Sequence, residues 1–586
     1  MLTSSAVSGP VCLVRPPAVE SFRFVTSGIT LPLGLAYIAG AIEGCGRAVH
    51  VIDAVGEAPR RATRYYKGFL VGLPLEEIVA RVPAESSLVG ISVVFTHEYP
   101  AVVRLVELLK KARPELRVVL GGEHVTAMPE FCLATSKADF VVCGEGEETI
   151  VELLEALDLQ RPLDEVAGIG FRDGPRLTVN PRRTRNRDID AIPYPAWHHF
   201  AYQTYSDHHY IAAMDTQRLN LPLLATRGCP YQCTFCSSPN TWQPQWIPRD
   251  PVKVVDEIEH HVRTYGASSF PFQDLTAVIR RDWIVAFCEE VLRRGLDIRW
   301  QMPSGTRAEA VDAEVADLMK RSGMVSLAYA PESGSEETRK LIKKRMTTED
   351  LLAGIRASSA AGLNVAVFTV IGFPHDTPAS LAHNLEFVRR VRALGVTDLA
   401  VGYYFALPAT ELFDSLYDAG RIRLDATYFG HILQGGDLVP SVSHCESLGR
   451  LGLMRWKFQM YATFYSARDE TKPRTGLAAS LWRAFSGLFA SSHDSKLQTV
   501  FRNAMYAGWT ELRLALTRGW LSRSEERALF STWDDTFRAI RAKLIARNIA
   551  VPAHPDTSRI HQGNVMKQLR VSHQTPRTLR LDSAAS

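Results

Sequence analysis

Three cysteines on one short stretch are the residues of this chain best suited to binding a metal centre. The stretch 225–239, which directly follows the apolar run 221–224, contains Cys229, Cys233 and Cys236. The three cysteines are separated by three and two residues. Thiolates at this spacing on one loop can bind three corners of an iron–sulfur cube, which leaves the fourth iron without a protein ligand. Because such an iron has an open position, it can bind a substrate. We expect this loop to follow the end of a strand.

Two other interpretations of the cysteines have to be considered. A zinc site would need four ligands in a tetrahedral array. The nearest additional ligands precede the cysteines, in a stretch whose composition predicts a linker; they are His198, His199, His208 and His209. A disulfide with one cysteine left over is disfavoured, because nine cysteines in 586 residues are far fewer than in a disulfide scaffold.

The remaining cysteines and the first residues predict a reducing, cytoplasmic location. The start Met1-Leu-Thr-Ser-Ser5 lacks the basic segment of a signal peptide. The other six cysteines show no metal-ligand spacing, and we expect them to be small core residues; they are Cys12, Cys45, Cys132, Cys143, Cys288 and Cys445.

Length and charge predict a large protein of several domains, with no sign of a nucleic-acid partner. The 586 residues suit three or four domains, and 67 basic against 63 acidic side chains is nearly balanced. No basic and aromatic interleaving indicates nucleic-acid binding. No apolar run is long enough to span a membrane. The amphipathic stretch 477–489 could lie on a membrane, but Arg483 within it favours packing on a core.

The first 157 residues alternate strand and helix patterns, which predicts a parallel sheet in a doubly wound, Rossmann-like domain. Ligands of such sheets bind beyond the carboxyl ends of the strands. Four loops fall there, and glycine in them lets a broad ligand approach the backbone. Each loop taken alone is also consistent with a plain turn. The predicted strands are 11–14, 49–52, 88–94, 118–120 and 140–142, and the helices are 34–43, 101–112 and one that ends at 157.

The alternation returns downstream and predicts a partial (β/α)6 barrel of the TIM type, whose active residues lie at the carboxyl ends of the strands. Its six candidate strands are 221–226, 269–274, 298–301, 325–330, 364–371 and 398–405. The predicted domains are 10–157, a hairpin and linker at 158–215, the barrel at 216–420, a helical domain at 421–550 and a disordered tail at 551–586. Helices of the fourth domain are expected at 446–465, 477–489, 494–517 and 522–547. The alternating charges of 182–188 predict a solvated face of the linker.

The cysteine spacing, with Phe235 directly before the last cysteine, resembles the signature of the radical S-adenosylmethionine (SAM) superfamily. This resemblance implies that the fourth iron of a [4Fe-4S] cluster binds SAM. An external donor of the flavodoxin or ferredoxin type would supply the electron that cleaves SAM to methionine and a 5′-deoxyadenosyl radical. Together with the upstream glycine loops, the motif resembles the cobalamin-dependent subclass, whose cobalamin-binding domain would occupy about residues 10 to 157.

The resemblance also implies contacts to SAM, residue by residue. Gln273 and Asp274 end the second barrel strand, where the family binds the SAM amino group, although the usual Gly-Gly-Glu is absent. Glu332 and Ser333 resemble the start of a Glu-Ser-Gly motif, whose carboxylate accepts hydrogen bonds from the ribose hydroxyls.

For two further residues of the barrel, a contact with SAM and a purely structural role are both possible. Arg307 could form a forked hydrogen bond to the SAM carboxylate or a surface salt bridge. Gly372, in the stretch Ile371-Gly-Phe-Pro374, could open a pocket for adenine or simply form a turn.

The cobalamin contacts implied by the resemblance lie on the four loops of the first domain. The motif Asp-x-His-x-x-Gly, which supplies an axial histidine, is absent. The lower face of the cobalt is therefore expected to be open or capped by a side chain or water. Of the implied residues, His97 and His124 are interpreted as loop hydrogen-bonders rather than axial ligands. The implied contacts are Pro32, Leu33, Gly34, Thr96, His97, Gly121, Gly122, His124, Gly144, Glu145 and Gly146.

The function implied is methyl transfer from methylcobalamin to a poorly nucleophilic carbon, after hydrogen abstraction by the deoxyadenosyl radical. Methylases of this subclass act on small molecules that include antibiotic precursors, peptides, sugars, phosphonates and lipids. A cobalamin-binding radical enzyme of another type, such as a tetrapyrrole cyclase, is the main alternative. A non-catalytic protein with a structural cluster is the third.

Overall fold

The computed structural model describes residues 6–21, 29–65, 68–207, 218–437, 439–465, 523–546 and 577–580. The helices expected at 477–489 and 494–517 lie outside these residues. Among the described helices, none is long and apolar enough to cross a membrane.

The first domain is built on a parallel sheet, as the strand pattern predicts. Its strands in chain order are β1 (Val11–Arg15), β2 (Ala18–Ser21), β3 (Val49–Asp53), β4 (Ala62–Tyr65), β5 (Gly68–Val71), β6 (Leu88–Ser92), β7 (Arg117–Gly121), β8 (Phe140–Val142), β9 (Ile169–Asp173) and β10 (Arg176–Val179). The parallel part runs β3-β1-β6-β7-β8. This is the flavodoxin-like order, and its switch point lies between β1 and β6. A ligand is therefore expected beyond the ends of these two strands.

Helices cover the sheet, and two features were not predicted. The helices are α1 (Leu33–Gly44), α2 (Ala54–Glu57), α3 (Leu75–Arg81), α4 (Tyr99–Ala112), α5 (Glu123–Ala127), α6 (Pro129–Thr135), α7 (Glu147–Asp158) and α8 (Tyr202–Asp207). Strands β2, β5 and β4 form a separate antiparallel sheet, and none of the three is among the predicted strands. The expected hairpin of the linker is β9 and β10, and it extends the main sheet beyond β8.

The second domain is a partial barrel. Its elements are β11 (Thr226–Arg227), α9 (Ser238–Thr241), β12 (Ile247–Pro248), α10 (Pro251–Tyr265), β13 (Ser269–Pro271), α11 (Arg281–Arg294), β14 (Arg299–Thr306), α12 (Ala313–Arg321), β15 (Met324–Glu332), α13 (Glu336–Leu341), α14 (Thr348–Ala360), β16 (Asn364–Ile371), α15 (Pro378–Ala393) and β17 (Asp398–Tyr403). Strands β13 to β17 form one parallel sheet in chain order. The α/β fold class is therefore confirmed.

The first predicted barrel strand is present only in part. Residues 220 and 223 make two isolated parallel pairings with the β13 region. The amides of Leu221 and Leu223 donate to Ser269 and Pro271, at 3.0 and 3.1 Å. Pro271 has no N–H with which to return a bond, so the ladder is interrupted there.

Helices follow the barrel and return to the first domain. They are α16 (Glu411–Asp418), α17 (Ala426–Leu433), α18 (Arg450–Tyr465), α19 (Arg523–Phe530) and α20 (Trp533–Ala546). The single helix expected at 522–547 is thus two helices. The ring of Trp533 lies 5.7 Å from that of Phe131 on α6, and Arg541 pairs with Asp414 on α16 at 2.6 Å. The helices therefore join the barrel to the first domain.

Four residues in the expected disordered tail form a strand. This strand, β18 (Arg577–Arg580), pairs antiparallel with β10, and Leu579 is fully buried. The expectation of disorder is wrong here, because β10 offers an unpaired edge and a neighbouring apolar surface.

Candidate functional site

The three cysteines occupy a loop between β11 and α9, at the carboxyl end of the barrel sheet. The loop begins at Gly228, whose φ of +86° suits glycine. A Cβ atom on this residue would lie 2.2 Å from the carbonyl oxygen of Gln245. The path of the chain into Cys229 therefore depends on glycine, a constraint that the sequence pattern did not reveal.

The environment of the sulfur atoms suits a cluster better than a reactive thiol. All three cysteines are partly exposed and free. Burial raises the pKa of each thiol, to about 12 for Cys236. A nucleophilic cysteine needs a lowered pKa, whereas a metal centre deprotonates its ligands on binding.

Geometry disfavours a single zinc ion. Within the described residues, only one set of three His, Cys, Asp or Glu side chains brings its ligand atoms within 4.8 Å of one another, and it is Glu43, His198 and His199. At least one pair of the three sulfur atoms is therefore more than 4.8 Å apart, whereas ligands of one zinc ion at about 2.3 Å each lie about 4 Å apart. His198 and His199 are bound instead to Glu43, at 3.2 and 2.8 Å.

Two cations lie beside the cysteine loop. The guanidinium of Arg307 stacks on Tyr231 of the loop, 4.0 Å from the ring centre. It also donates to Glu309, at 3.2 Å, and to the carbonyl of Arg345. The Lys344 ammonium pairs with Glu332 at 3.0 Å. Burial opposes this charge, but the combined effect of Glu332, Cys233 and Cys236 raises the pKa of Lys344. Neither Tyr231 nor Lys344 was predicted.

Glu332 has the backbone geometry expected of a functional residue. Its φ is +64°, which is unusual for a residue with a side chain. The register of β15 and β16 also shifts between Tyr329 and Glu332. Such strain concentrates at functional sites, where the surrounding structure enforces it. The unusual backbone conformation directs the Glu332 carboxylate toward Lys344 and the cysteine loop.

Two residues predicted to bind SAM make contacts with neighbouring parts of the protein. Asp274 accepts hydrogen bonds from the amides of Ala225 and Thr226, at 3.1 and 2.5 Å, so it holds the strand end that leads to the cysteines. Burial raises its pKa to about 6. Ser333 is buried and donates to Asn384 at 2.9 Å.

The other predicted contacts on the barrel are distributed over the loop after β16 and the end of β13. Gly372 has a φ of +91°, and its amide donates to Asp376 at 2.8 Å. Phe235 packs against Phe373, with ring centres 5.6 Å apart. The side chain of Gln273 is partly exposed.

Two predicted loops of the first domain follow β6 and β7, at the carboxyl edge of the sheet. The loop after β6 exposes Phe95 and carries Thr96 and a partly exposed His97. Burial and the charge of Arg15 lower the pKa of His97 to about 4, so this imidazole is neutral near pH 7. His124 is buried, and its Nδ1 atom lies 3.2 Å from the Thr96 hydroxyl. Its Nε2 atom has no hydrogen-bond partner among the described residues. A group that binds there could satisfy this nitrogen.

The predicted glycines divide into two kinds. Gly122 and Gly146 are needed for packing, because a Cβ atom would meet Val93 O at 2.6 Å or Ile38 Cδ1 at 2.9 Å. Gly34 faces open space among the described residues, and a Cβ atom on Gly121 or Gly144 would make only ordinary contacts, at 3.9 Å to Val142 Cβ and 4.0 Å to Thr241 O. This room fits the approach of a flat ligand such as cobalamin. Of the two other residues predicted at the start of α1, Leu33 is buried in the core and Pro32 directly precedes the helix.

Glu145 takes part in a buried charge network. Arg227, directly before the cysteine loop, pairs with Glu147 at 2.6 Å and with Glu145 at 3.2 Å. Arg185 pairs with Glu145 at 3.1 Å and is itself buried. The prediction of a solvated face at 182–188 is therefore wrong for Arg185, because it neutralises an acidic loop of the first domain. Both Glu145 oxygens have arginine partners, so this side chain supports the site rather than reaching into it.

A second contact joins the two domains at the site. The Ser237 hydroxyl, next to Cys236, donates to the carboxylate of Glu123. Glu123 lies in the loop Gly121 to His124, between two residues that were predicted to contact a ligand. The ligand loop of the first domain and the cysteine loop are thus in direct contact. The residues predicted from the sequence in this loop were Gly121, Gly122 and His124. Glu123 was not predicted, because its partner Ser237 is 114 residues away along the chain.

Comparison with known proteins agrees with this arrangement. A model of the B12 binding domain matches residues 23–154, and a model of the radical SAM superfamily matches residues 223–388. Cytidylyl-2-hydroxyethylphosphonate methyltransferase from Streptomyces wedmorensis is 31% identical over 398 residues, which are 62% of this chain and 72% of that protein. An anaerobic magnesium-protoporphyrin IX monomethyl ester cyclase from Cereibacter sphaeroides is 29% identical over 445 residues, 74% of this chain and 67% of the cyclase.

A solved structure shows the same fold. The radical SAM methyltransferase TsrM from Kitasatospora setae, with cobalamin and a [4Fe-4S] cluster bound, has a TM-score of 0.57 at 16% identity and covers 85% of this chain and 99% of its own. The chain belongs to the cobalamin-dependent radical SAM enzymes. Its cofactors are those of the family, a [4Fe-4S] cluster, SAM and cobalamin, and the donors and open glycines described above fit them.

Proposed function

We propose that this enzyme is a C-methyltransferase, which transfers a methyl group from SAM by way of cobalamin to a poorly nucleophilic carbon of a small-molecule substrate. The contact between Glu123 and Ser237 carries this proposal, because it brings the cysteine loop and a predicted cobalamin loop together. One substrate carbon held between them could be reached from both cofactors. Binding and orientation of this kind are what the protein supplies when cofactors carry the chemistry.

In this proposal the residues of the chain bind the cofactors and orient them toward the substrate. When bound, the cluster and cobalamin supply electron transfer and a transferable methyl group. The three cysteines would hold the cluster, and the strained Glu332 carboxylate would accept hydrogen bonds from the SAM ribose. The ammonium of Lys344 pairs with that carboxylate at 3.0 Å. Arg227 and Asp274 fix the start of the cysteine loop from two sides.

A second candidate is a cyclase that uses the same cofactors without methyl transfer. The magnesium-protoporphyrin ester cyclase matches a larger share of this chain, 74%, than the phosphonate methyltransferase does, 62%. The methyltransferase has the higher identity, and we therefore favour methyl transfer. A cytoplasmic location and a role in making an antibiotic or related natural product are part of this proposal.

The two candidates differ in the fate of the SAM methyl group. We would incubate the reconstituted enzyme with cobalamin, dithionite and SAM that carries a trideuterated methyl group, with cytidylyl-2-hydroxyethylphosphonate as the first acceptor probe. Methyl transfer predicts S-adenosylhomocysteine and deuterium on cobalamin, besides 5′-deoxyadenosine. Deoxyadenosine without S-adenosylhomocysteine would support the cyclase. No cleavage of SAM at all would contradict both and favour a structural cluster.

A further inference from the structure

A strongly basic segment with an exposed leucine lies beside the cysteine loop. Residues 339–345 read Arg-Lys-Leu-Ile-Lys-Lys-Arg and comprise the last turn of α13 and the loop after it. The side chain of Leu341 is among the large apolar side chains that reach solvent, at 52% exposure. Lys340 and Arg345 are exposed as well. We call residues 339–345 the basic segment.

The basic segment touches the cysteine loop through its backbone. The amide of Thr234 donates to the carbonyl of Ile342 at 3.1 Å. The sulfur of Cys233 lies 3.9 Å from the carbonyl oxygen of Lys343. Lys343 has a φ of +56°, an unusual value for a residue with a side chain. The exposed surface around Leu341 is thus separated from a cluster ligand by one layer of backbone.

The charges of the basic segment are not all used within the protein. Arg339 is buried against the carbonyl of Ser333, at 2.6 Å. Lys343 pairs with Glu411 at 2.5 Å, and Lys344 pairs with Glu332. Lys340 and Arg345 have no carboxylate partner in the part of the chain that the structure describes.

A purely structural role accounts for only part of this arrangement. A lysine in the last turn of α13 complements the helix dipole, which explains Lys340. It does not explain Arg345, which lies beyond the helix, or the solvent exposure of Leu341 between them. An apolar centre with a charged rim is the usual composition of a protein interface.

We propose that the basic segment is the docking surface for an acidic electron-transfer protein of the flavodoxin or ferredoxin type. Leu341 forms the apolar centre of the contact, and Lys340 and Arg345 select the acidic partner and accelerate its approach. The reduced carrier gives up one electron and leaves oxidised, and the electron is used in the reductive cleavage of one SAM molecule. This inference depends on the proposed electron donor, not on the identity of the substrate.

The test compares two charge reversals of equal size. One variant carries Lys340→Glu and Arg345→Glu. The control carries Lys111→Glu and Lys137→Glu, two exposed cations of the first domain. SAM cleavage by the reconstituted enzyme is measured with dithionite and, separately, with a bacterial flavodoxin kept reduced by its NADPH-dependent reductase. We expect dithionite-driven cleavage to be unchanged in both variants. The KM for flavodoxin should rise tenfold or more in the first variant only.

A direct binding measurement keeps the test independent of turnover. Titration of flavodoxin into the wild-type protein should show binding that weakens as salt rises from 20 to 200 mM, because the Debye length falls from about 20 Å to about 7 Å over this range. The first variant should bind at least tenfold more weakly at low salt, and Leu341→Ala should weaken binding without changing its salt dependence. Equal binding by the first variant and the control would overturn the proposal. Failure of the wild-type enzyme to cleave SAM with dithionite would instead contradict the proposed function, and the binding result would still decide the docking surface.

Discussion

Replacement of Gly228 by alanine should empty the cluster site although it removes no ligand. A left-handed backbone costs a residue with a Cβ atom about 1–2 kcal/mol. The added Cβ would also lie 2.2 Å from Gln245 O and 2.9 Å from Arg185 Nη1. Relief of this overlap needs a backbone shift of about 1 Å, and overpacking of this kind costs about 1–3 kcal/mol. The two costs together lower the population of the correct loop conformation by at least about 30-fold.

Iron and sulfide per chain, measured after anaerobic reconstitution, are the assay for Gly228→Ala. Gly266→Ala is the matched control, because Gly266 has a φ of +71° but nothing within 4 Å of an added Cβ. The control therefore has the backbone cost without the overlap, and it should keep its full iron content. Full iron content in Gly228→Ala, or an equal loss in the control, would refute the reasoning.

Three further predictions concern the site. Alanine in place of any of the three loop cysteines should abolish SAM cleavage and lower iron content, whereas Cys288→Ala should change neither, because Cys288 is buried within α11. Glu332→Gln should weaken SAM binding about 10- to 100-fold, since a charge-assisted hydrogen bond contributes about 1.5–3 kcal/mol; equal affinity in equilibrium dialysis would show that Glu332 does not bind SAM. Arg227→Met leaves Glu147 buried and unpaired, at a cost of about 3–5 kcal/mol, so hydrogen exchange should accelerate in the cysteine loop and at the start of α7, and unchanged exchange would contradict this.

The sequence predicted most of the elements that carry periodic apolar patterns. The strand expected at 364–371 is β16, residue for residue, and that at 140–142 is β8. All of β8 and alternate residues of β16 are buried, and both strands are rich in the apolar residues by which a strand is recognised. The first barrel strand was predicted whole but is interrupted at Pro271, because the apolar run 221–224 does not show which residue lies opposite it in the sheet.

The parts of the site that depend on tertiary contacts could not be predicted. Motif reasoning found the cysteines and Glu332, whose types and spacing are informative in themselves. It assigned Asp274 and Glu145 to cofactors, whereas the structure shows their oxygens bound by backbone amides and arginines. A carboxylate that binds a ligand and one that holds a loop have the same sequence signal. Only the position of the partner distinguishes them.

The last described strand has a consequence for how the chain can be divided. β18 covers the edge of β10, so the sheet of the first domain is completed by residues that follow the barrel. Leu579 and Trp533 are buried in the same apolar cluster as the β6 and β7 residues. The first domain cut off after residue 180 would expose an unpaired edge and this apolar surface, both of which favour self-association. Cobalamin binding by this domain is therefore best studied in the intact chain.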